Sequence, residues 1–184
     1  MTQSKAHAAR PIGGAPHAGY TARPMALLNL SSLVASLAPG QRLLGLDPGA
    51  KTIGLALSDV TLRIASPLRA IPRRKLSQTA TEIAAIARER GVGGLVVGLP
   101  LAMDGRLGRA AQAARDWAEA LATATLLPTA LWDERLSTAA VNRMLVEEAD
   151  LSRKRRSALV DAAAAAWILQ TALDCLRPDR PPAR

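Results

Sequence analysis

The stretch RLLGLDPGAKTIGLALSD (residues 42–59) carries two apolar runs, 42–47 and 52–58, separated by a connection that opens on Pro48-Gly49. A third, mixed run follows at 63–71, after a break at 59–61. Gaps this short join antiparallel neighbours, so the three runs predict a meander of strands. Asp47 stands at the end of the first run. Asp-Pro-Gly suits a type I or II turn with Pro at its second position. The same place, the edge of a sheet, can also hold a carboxylate for chemistry.

Beyond residue 74 the pattern changes from strands to alternating helices and strands. Residues 75–90 read as a helix, with Leu76, Ala80, Ile83 and Ala87 on one stripe and Gly91 as its stop. VGGLVVGLP (92–100) is a continuous apolar run, which predicts a strand buried on both faces. A second helix is predicted over 108–124, with Ala110, Ala113, Trp117 and Leu121 facing inward. A short strand follows at 129–132, then a third helix from a Ser137 cap to about 149. The last helix spans 155–176, its inner stripe being Leu159, Ala162, Ala166, Leu169 and Leu173. The order β-β-β-α-β-α-β-α-α predicts an α/β fold: a mixed five-stranded sheet with helices on its faces. Residues 1–41 are expected to form a largely disordered extension with a short helix at 26–37, Met25 being an alternative start. The domain proper is expected at 42–176, and 177–184 as a basic tail.

Composition narrows the class. Of 184 residues 49% are hydrophobic and none is Phe, so the core must be Leu, Ile, Val and Ala. Cys175 is the single cysteine, which excludes an internal disulfide or a cysteine zinc cluster and suits a reducing compartment. No uninterrupted apolar run reaches the roughly 18 residues of a membrane span. Net charge is +9, but residues 1–46 hold four basic and no acidic side chains, and the tail from Arg177 three against one. The stretch between is only mildly basic, so charge alone is modest support for a polyanionic partner.

The acids say more. Most lie on predicted helices within reach of Arg or Lys. Glu134, in LWDERLST, falls where a strand ends and a helix has not begun. Asp161, in ALVDAAAAAWIL, sits in the most apolar part of the last helix, where burying an unpaired carboxylate costs several kcal/mol. Asp47, Glu134 and Asp161 can converge at one end of the sheet if Mg²⁺ or Mn²⁺ neutralises them. Two such ions suit phosphodiester hydrolysis. Lys51, Arg135 and the run Arg153, Lys154, Arg155 and Arg156 are placed to contact backbone phosphate. RAIPRRK (69–75) makes a second, weaker basic edge.

GLDPGAKTIGLALSD, VVGLPLAMDGRLG, DERLSTAAV and SRKRRSALVDAAAAAWILQ resemble, in order and spacing, the four signature blocks of the bacterial YqgF (RuvX) family. The resemblance covers about 42–174 and implies an RNase H-like fold related to the RuvC resolvases, in a cytoplasmic protein. It further implies a nuclease, described for the family as a Holliday-junction resolvase or as a nuclease maturing the 5′ end of pre-16S rRNA. Asp47, Glu134 and Asp161 match the family's metal-binding acids. Partners would be pre-rRNA, with ribosomal precursor particles, or branched DNA, acted on by a monomer or a homodimer, away from membranes. Three positions depart from the family pattern: Ala50 where Thr is common, Ala102 where Asn is frequent, and Leu159 at a place often basic. A non-catalytic nucleic-acid-binding module is the competing reading, which retention of all three acids opposes. An actin-like ATPase would need two such domains.

Overall fold

The computed structural model describes residues 27–100, 108–133 and 153–177, with the backbone alone at 153–157. Five strands form one sheet: β1 (Arg42–Pro48), β2 (Thr52–Ser58), β3 (Ala65–Pro72), β4 (Val92–Leu99) and β5 (Thr129–Asp133), in the order β3-β2-β1-β4-β5. The first three are antiparallel neighbours, while β4 and β5 run parallel to β1. The helices are α1 (Leu30–Ala35), α2 (Leu76–Arg90), α3 (Arg109–Thr125) and α4 (Arg153–Cys175). This is the expected mixed sheet. The third helix expected from Ser137 lies outside the described residues.

Strand alternation divides the core into two layers. Leu44, Leu46, Ile53, Leu55, Leu95 and Val97 pack with Ile83 and Ile86 of α2 and Ala118 and Leu121 of α3. On the opposite face Leu43, Ala56 and Val96 pack with Ala165, Leu169 and Leu173 of α4. Both layers are built from Leu, Ile, Val and Ala, as a chain without Phe requires. β4, which runs parallel to β1 and β5 on its two sides, is buried along nearly its whole length.

Helix α4 lies unusually close to the sheet, and two glycines permit it. A Cβ on Gly45 would stand 2.8 Å from Leu169 Cβ, and one on Gly54 only 1.9 Å from the Asp161 carbonyl oxygen. The 18-residue window Ala158–Cys175 is long and apolar enough to cross a membrane when averaged, although Asp161 and Asp174 interrupt it. Its burial of Ala162, Ala165, Leu169, Ala172 and Leu173 against the sheet is that of a core helix.

Several boundaries differ from expectation for local reasons. β3 begins at Ala65 rather than Arg63, because the Asp59 carboxylate accepts the backbone N–H of Thr61, Arg63 and Ile64 and folds that stretch into the loop. Those bonds, led by one from the Thr61 hydroxyl, hold the Asp59 carboxyl below the usual range. In α3 the buried stripe is Ala111, Ala114, Ala118, Leu121 and Ala122, whereas Ala110 and Ala113 are exposed and Trp117 is half-buried. The helix is so rich in alanine that two overlapping stripes fit its periodicity. Helix α4 begins at Arg153, so the basic run opens the helix instead of preceding it. Leu159, expected on its inner stripe, is exposed.

The fold also extends upstream of β1. Leu28 bridges Ala130 at the open edge of β5, its N–H donating to the Thr129 carbonyl oxygen at 2.8 Å. The Asn29 side chain caps α1 by accepting from Ser32 N at 2.7 Å. Leu33 of that helix is fully buried over Gly94.

Candidate active site

Asp47 is the second-last residue of β1 and pairs across the antiparallel ladder with Gly54 of β2. Residues paired in this way project side chains from the same face of the sheet. Over that face, the backbone of Asp161 occupies the space where a Gly54 side chain would be. Gly54 therefore has Asp47 beside it on the sheet and Asp161 above it on α4. Two residues from Gly54, the Thr52 hydroxyl donates to Asp161 Oδ2 at 2.6 Å.

The two acids also act on each other electrostatically. Burial first, and the charge of Asp161 second, push the Asp47 carboxyl up from 3.8 to about 6. Among the described residues, neither Asp47 nor Asp161 takes part in an ion pair, and Thr52 is the one side chain bonded to either. Two carboxylates with no cationic partner among the described residues offer oxygen donors of the type that a hard divalent ion takes. No group of three His, Cys, Asp or Glu that could hold a metal occurs among the described residues. Glu134, the third acid expected, lies outside them, as does Arg135. The preceding residue, Asp133, ends β5 opposite Leu99. Because β1, β4 and β5 are parallel, this strand end and that of Asp47 lie at the same edge of the sheet.

Lys51 is exposed in the turn between β1 and β2, beside Ala50, which is also exposed. β3 runs back to this same edge, Thr52 pairing with Pro72, and delivers Arg73, Arg74 and Lys75 there. Arg74 and Lys75 are exposed and make no ion pair with a described residue. This basic corner was the weaker of the two edges in the sequence. Only the β2–β3 register brings it next to Lys51. Of Arg153, Lys154, Arg155 and Arg156, the structure describes the backbone, which forms the opening turn of α4. Ala102 lies outside the described residues.

A sheet of order 3-2-1-4-5, with its first three strands antiparallel and the last two parallel to β1, is that of an RNase H-like domain. The chain belongs to the RuvX family: the family's model, described as "Holliday junction resolvase", matches residues 41–175. It is thus a member of a nuclease family. A protein of Gluconacetobacter diazotrophicus named "putative pre-16S rRNA nuclease" is 60% identical over 150 residues, which is 82% of this chain and 97% of that one. One of the same name from Acidiphilium cryptum is 56% identical over 157 residues, 85% of this chain and 99% of its own. Among solved structures, T. thermophilus RuvC in complex with a Holliday junction substrate matches 73% of this chain and 94% of its own, at 16% identity and a TM-score of 0.46.

Proposed function

We propose that this chain is a metal-dependent endonuclease of the bacterial cytoplasm that hydrolyses phosphodiester bonds in structured nucleic acid, the 5′ end of pre-16S rRNA being its substrate. The observation that carries this reading is the pair Asp47 and Asp161, brought together across Gly54 with no cation among the described residues to neutralise them. With Glu134, the residue after the β5 end, they would hold Mg²⁺ or Mn²⁺, two ions once substrate is present. Those ions would supply activation of water and neutralisation of the leaving oxygen.

The chain's own residues do the rest. Thr52 fixes one oxygen of Asp161. Lys51 meets the phosphate nearest the acids, and Arg74 and Lys75 continue that contact along the edge. Arg135 and the run Arg153 to Arg156 are the further cations we assign to contact with the nucleic-acid backbone. Four cations at the positive end of a helix dipole, with no acid in its first turn, are unfavourable until an anion meets them. A polyphosphate backbone answers that need. The substrate named for the curated relatives favours pre-rRNA. The family description favours a second reading, a four-way DNA junction, for which a homodimer would match the two-fold substrate.

Cleavage of a pre-16S 5′ leader and of a four-way junction in Mg²⁺ or Mn²⁺, by wild type and Asp47→Asn, tests the reading. The leader should be cut at a defined site by the wild type alone. Cleavage of the junction alone would select the second reading. Equal cleavage by both proteins would remove Asp47 from the site, and binding without cleavage of either substrate would leave a non-catalytic module.

A further inference from the structure

The three cations of the β3 end do not share one role. Arg74 and Lys75 face solvent, whereas Arg73 is half-buried and turned onto the turn that carries Asp47. Its Nη1 donates to the carbonyl oxygens of Pro48, at 3.2 Å, and Gly49, at 2.9 Å. Its backbone N–H donates to the carbonyl oxygen of Lys51 at 2.9 Å. Three carbonyls of the turn thus converge on one residue. Behind it, the guanidinium lies over the Trp117 ring, 5.5 Å from the centroid. Trp117 packs in turn on the core between the sheet and helices α2 and α3. Trp117 thereby supports one flank of the guanidinium, and the turn is anchored to the core through it.

We propose that Arg73 is a positioning residue: it holds the 48–51 turn in the one shape that keeps Asp47 at the sheet edge and Lys51 beside it. The proposal rests on the nuclease reading of Asp47. Lys is a poor replacement: an ammonium can donate to two carbonyls, as the single Nη1 does here, but it brings no planar group to cover the Trp117 ring at the same time. The turn needs this help. Its own described backbone bond is a tight one, Gly49 N–H to the Asp47 carbonyl oxygen at 3.0 Å, and Gly49 and Ala50 are exposed. A small shift of a reacting group is amplified in rate, a misplacement near 1 Å being worth about a hundredfold.

The test compares wild type, Arg73→Lys and Arg73→Met by three measurements. Hydrogen exchange of the 49–52 amides in metal-free protein should quicken about tenfold or more in both variants, with α2 and β4 amides unchanged. On a cleaved substrate kcat should fall at least about tenfold in both, with KM within about twofold. Mn²⁺ affinity, read by calorimetry without substrate, should weaken in parallel. A uniform loss of protection across the domain would make Arg73 a general structural residue and overturn the proposal. So would unchanged exchange in the turn, or a rise in KM at constant kcat, which would make Arg73 a phosphate contact. If Asp47→Asn proves as active as wild type, the nuclease reading of that site fails, and the turn's exchange rates still decide whether Arg73 holds it.

Discussion

The Thr52 hydroxyl stands 2.6 Å from Oδ2 of Asp161, a bond between the first residue of β2 and a residue of α4 that lies 109 positions further on. It fixes one carboxylate oxygen and leaves the other for a ligand. A hydrogen bond to a carboxylate contributes about 1.5–3 kcal/mol. Its loss here lets the carboxyl rotate as well. Thr52→Val, close in volume, should lower kcat about tenfold or more and weaken Mn²⁺ binding, with a loss of stability of about 1.5–3 kcal/mol. Thr52→Ser retains the donor and should restore most of both. If Val and Ser variants behave alike in kcat and in Mn²⁺ titration, the bond has no part in the site.

Gly54 is the contact through which the two acids meet. Alanine there would set a methyl 1.9 Å from the Asp161 carbonyl oxygen and 2.5 Å from its carbon, both backbone atoms that no rotamer change can move. Helix α4 would have to lift from β2. Overpacking of this kind costs about 1–3 kcal/mol and sometimes more. Gly54→Ala should therefore lose about 3 kcal/mol in urea unfolding and lose activity together with it. Ala56→Gly, two residues along the same strand, is the comparison: it leaves a small void and should keep most of its activity. A Gly54→Ala protein with wild-type stability would show that α4 does not approach as closely as described.

The sequence made the sheet legible because each early strand is bounded by its own turn chemistry, Pro48-Gly49 and then Asp59 to Thr61. Asp161 stood out for the same kind of local reason, a carboxylate set among alanines. What escaped was whatever depends on two distant elements touching. Gly54 reads as an ordinary small residue until α4 lies on it, and Thr52 as a strand former until Asp161 faces it. Arg73 is one cation of three in RRK, and its different duty follows from the β2–β3 register and from Trp117. The shifted stripe of α3 has another cause: where alanine fills nearly every position, hydrophobic period cannot choose a face.

The raised Asp47 carboxyl makes stability depend on pH in a definite direction. The folded protein binds this proton up to about pH 6, the unfolded chain only to 3.8, so folding is favoured while the group is neutral. Its contribution is full below about pH 4, declines as pH rises to about 6, and is absent above that. A rise from 3.8 to about 6 corresponds to about 3 kcal/mol as an upper bound. Asp47→Asn should thus be inactive yet more stable than wild type at pH 7.5 without metal, by up to that amount, the gap closing toward pH 4. Saturating Mn²⁺ should stabilise the wild type at pH 7.5 and reduce the gap. Thermal melts of both proteins between pH 4 and 8, with and without Mn²⁺, check this; a less stable Asn variant at pH 7.5 would mean that Asp47 is not strained by its neighbours.

Arg74 and Lys75 lie exposed next to Lys51 and have no anionic partner among the described residues, so their charge is available to a ligand. Phosphate contacts of this kind release counterions, and each lowers the slope of log affinity against log salt by about 0.7 on single strands and 0.9 on duplex. Arg74→Gln with Lys75→Gln should reduce that slope by about 1.4–1.8 and weaken binding most at low salt. KM should rise well before kcat falls, because neither side chain reaches the acids. The comparison that gives this meaning is Glu89→Gln with Arg90→Gln at the far end of α2, an exposed pair whose salt bridge is 3.2 Å long and whose net charge is zero. That change should leave the slope within about 0.3 of wild type. An unaltered slope in the Arg74 and Lys75 double variant, measured on the substrate the enzyme cleaves, would move the phosphate path off this edge and toward the opening turn of α4.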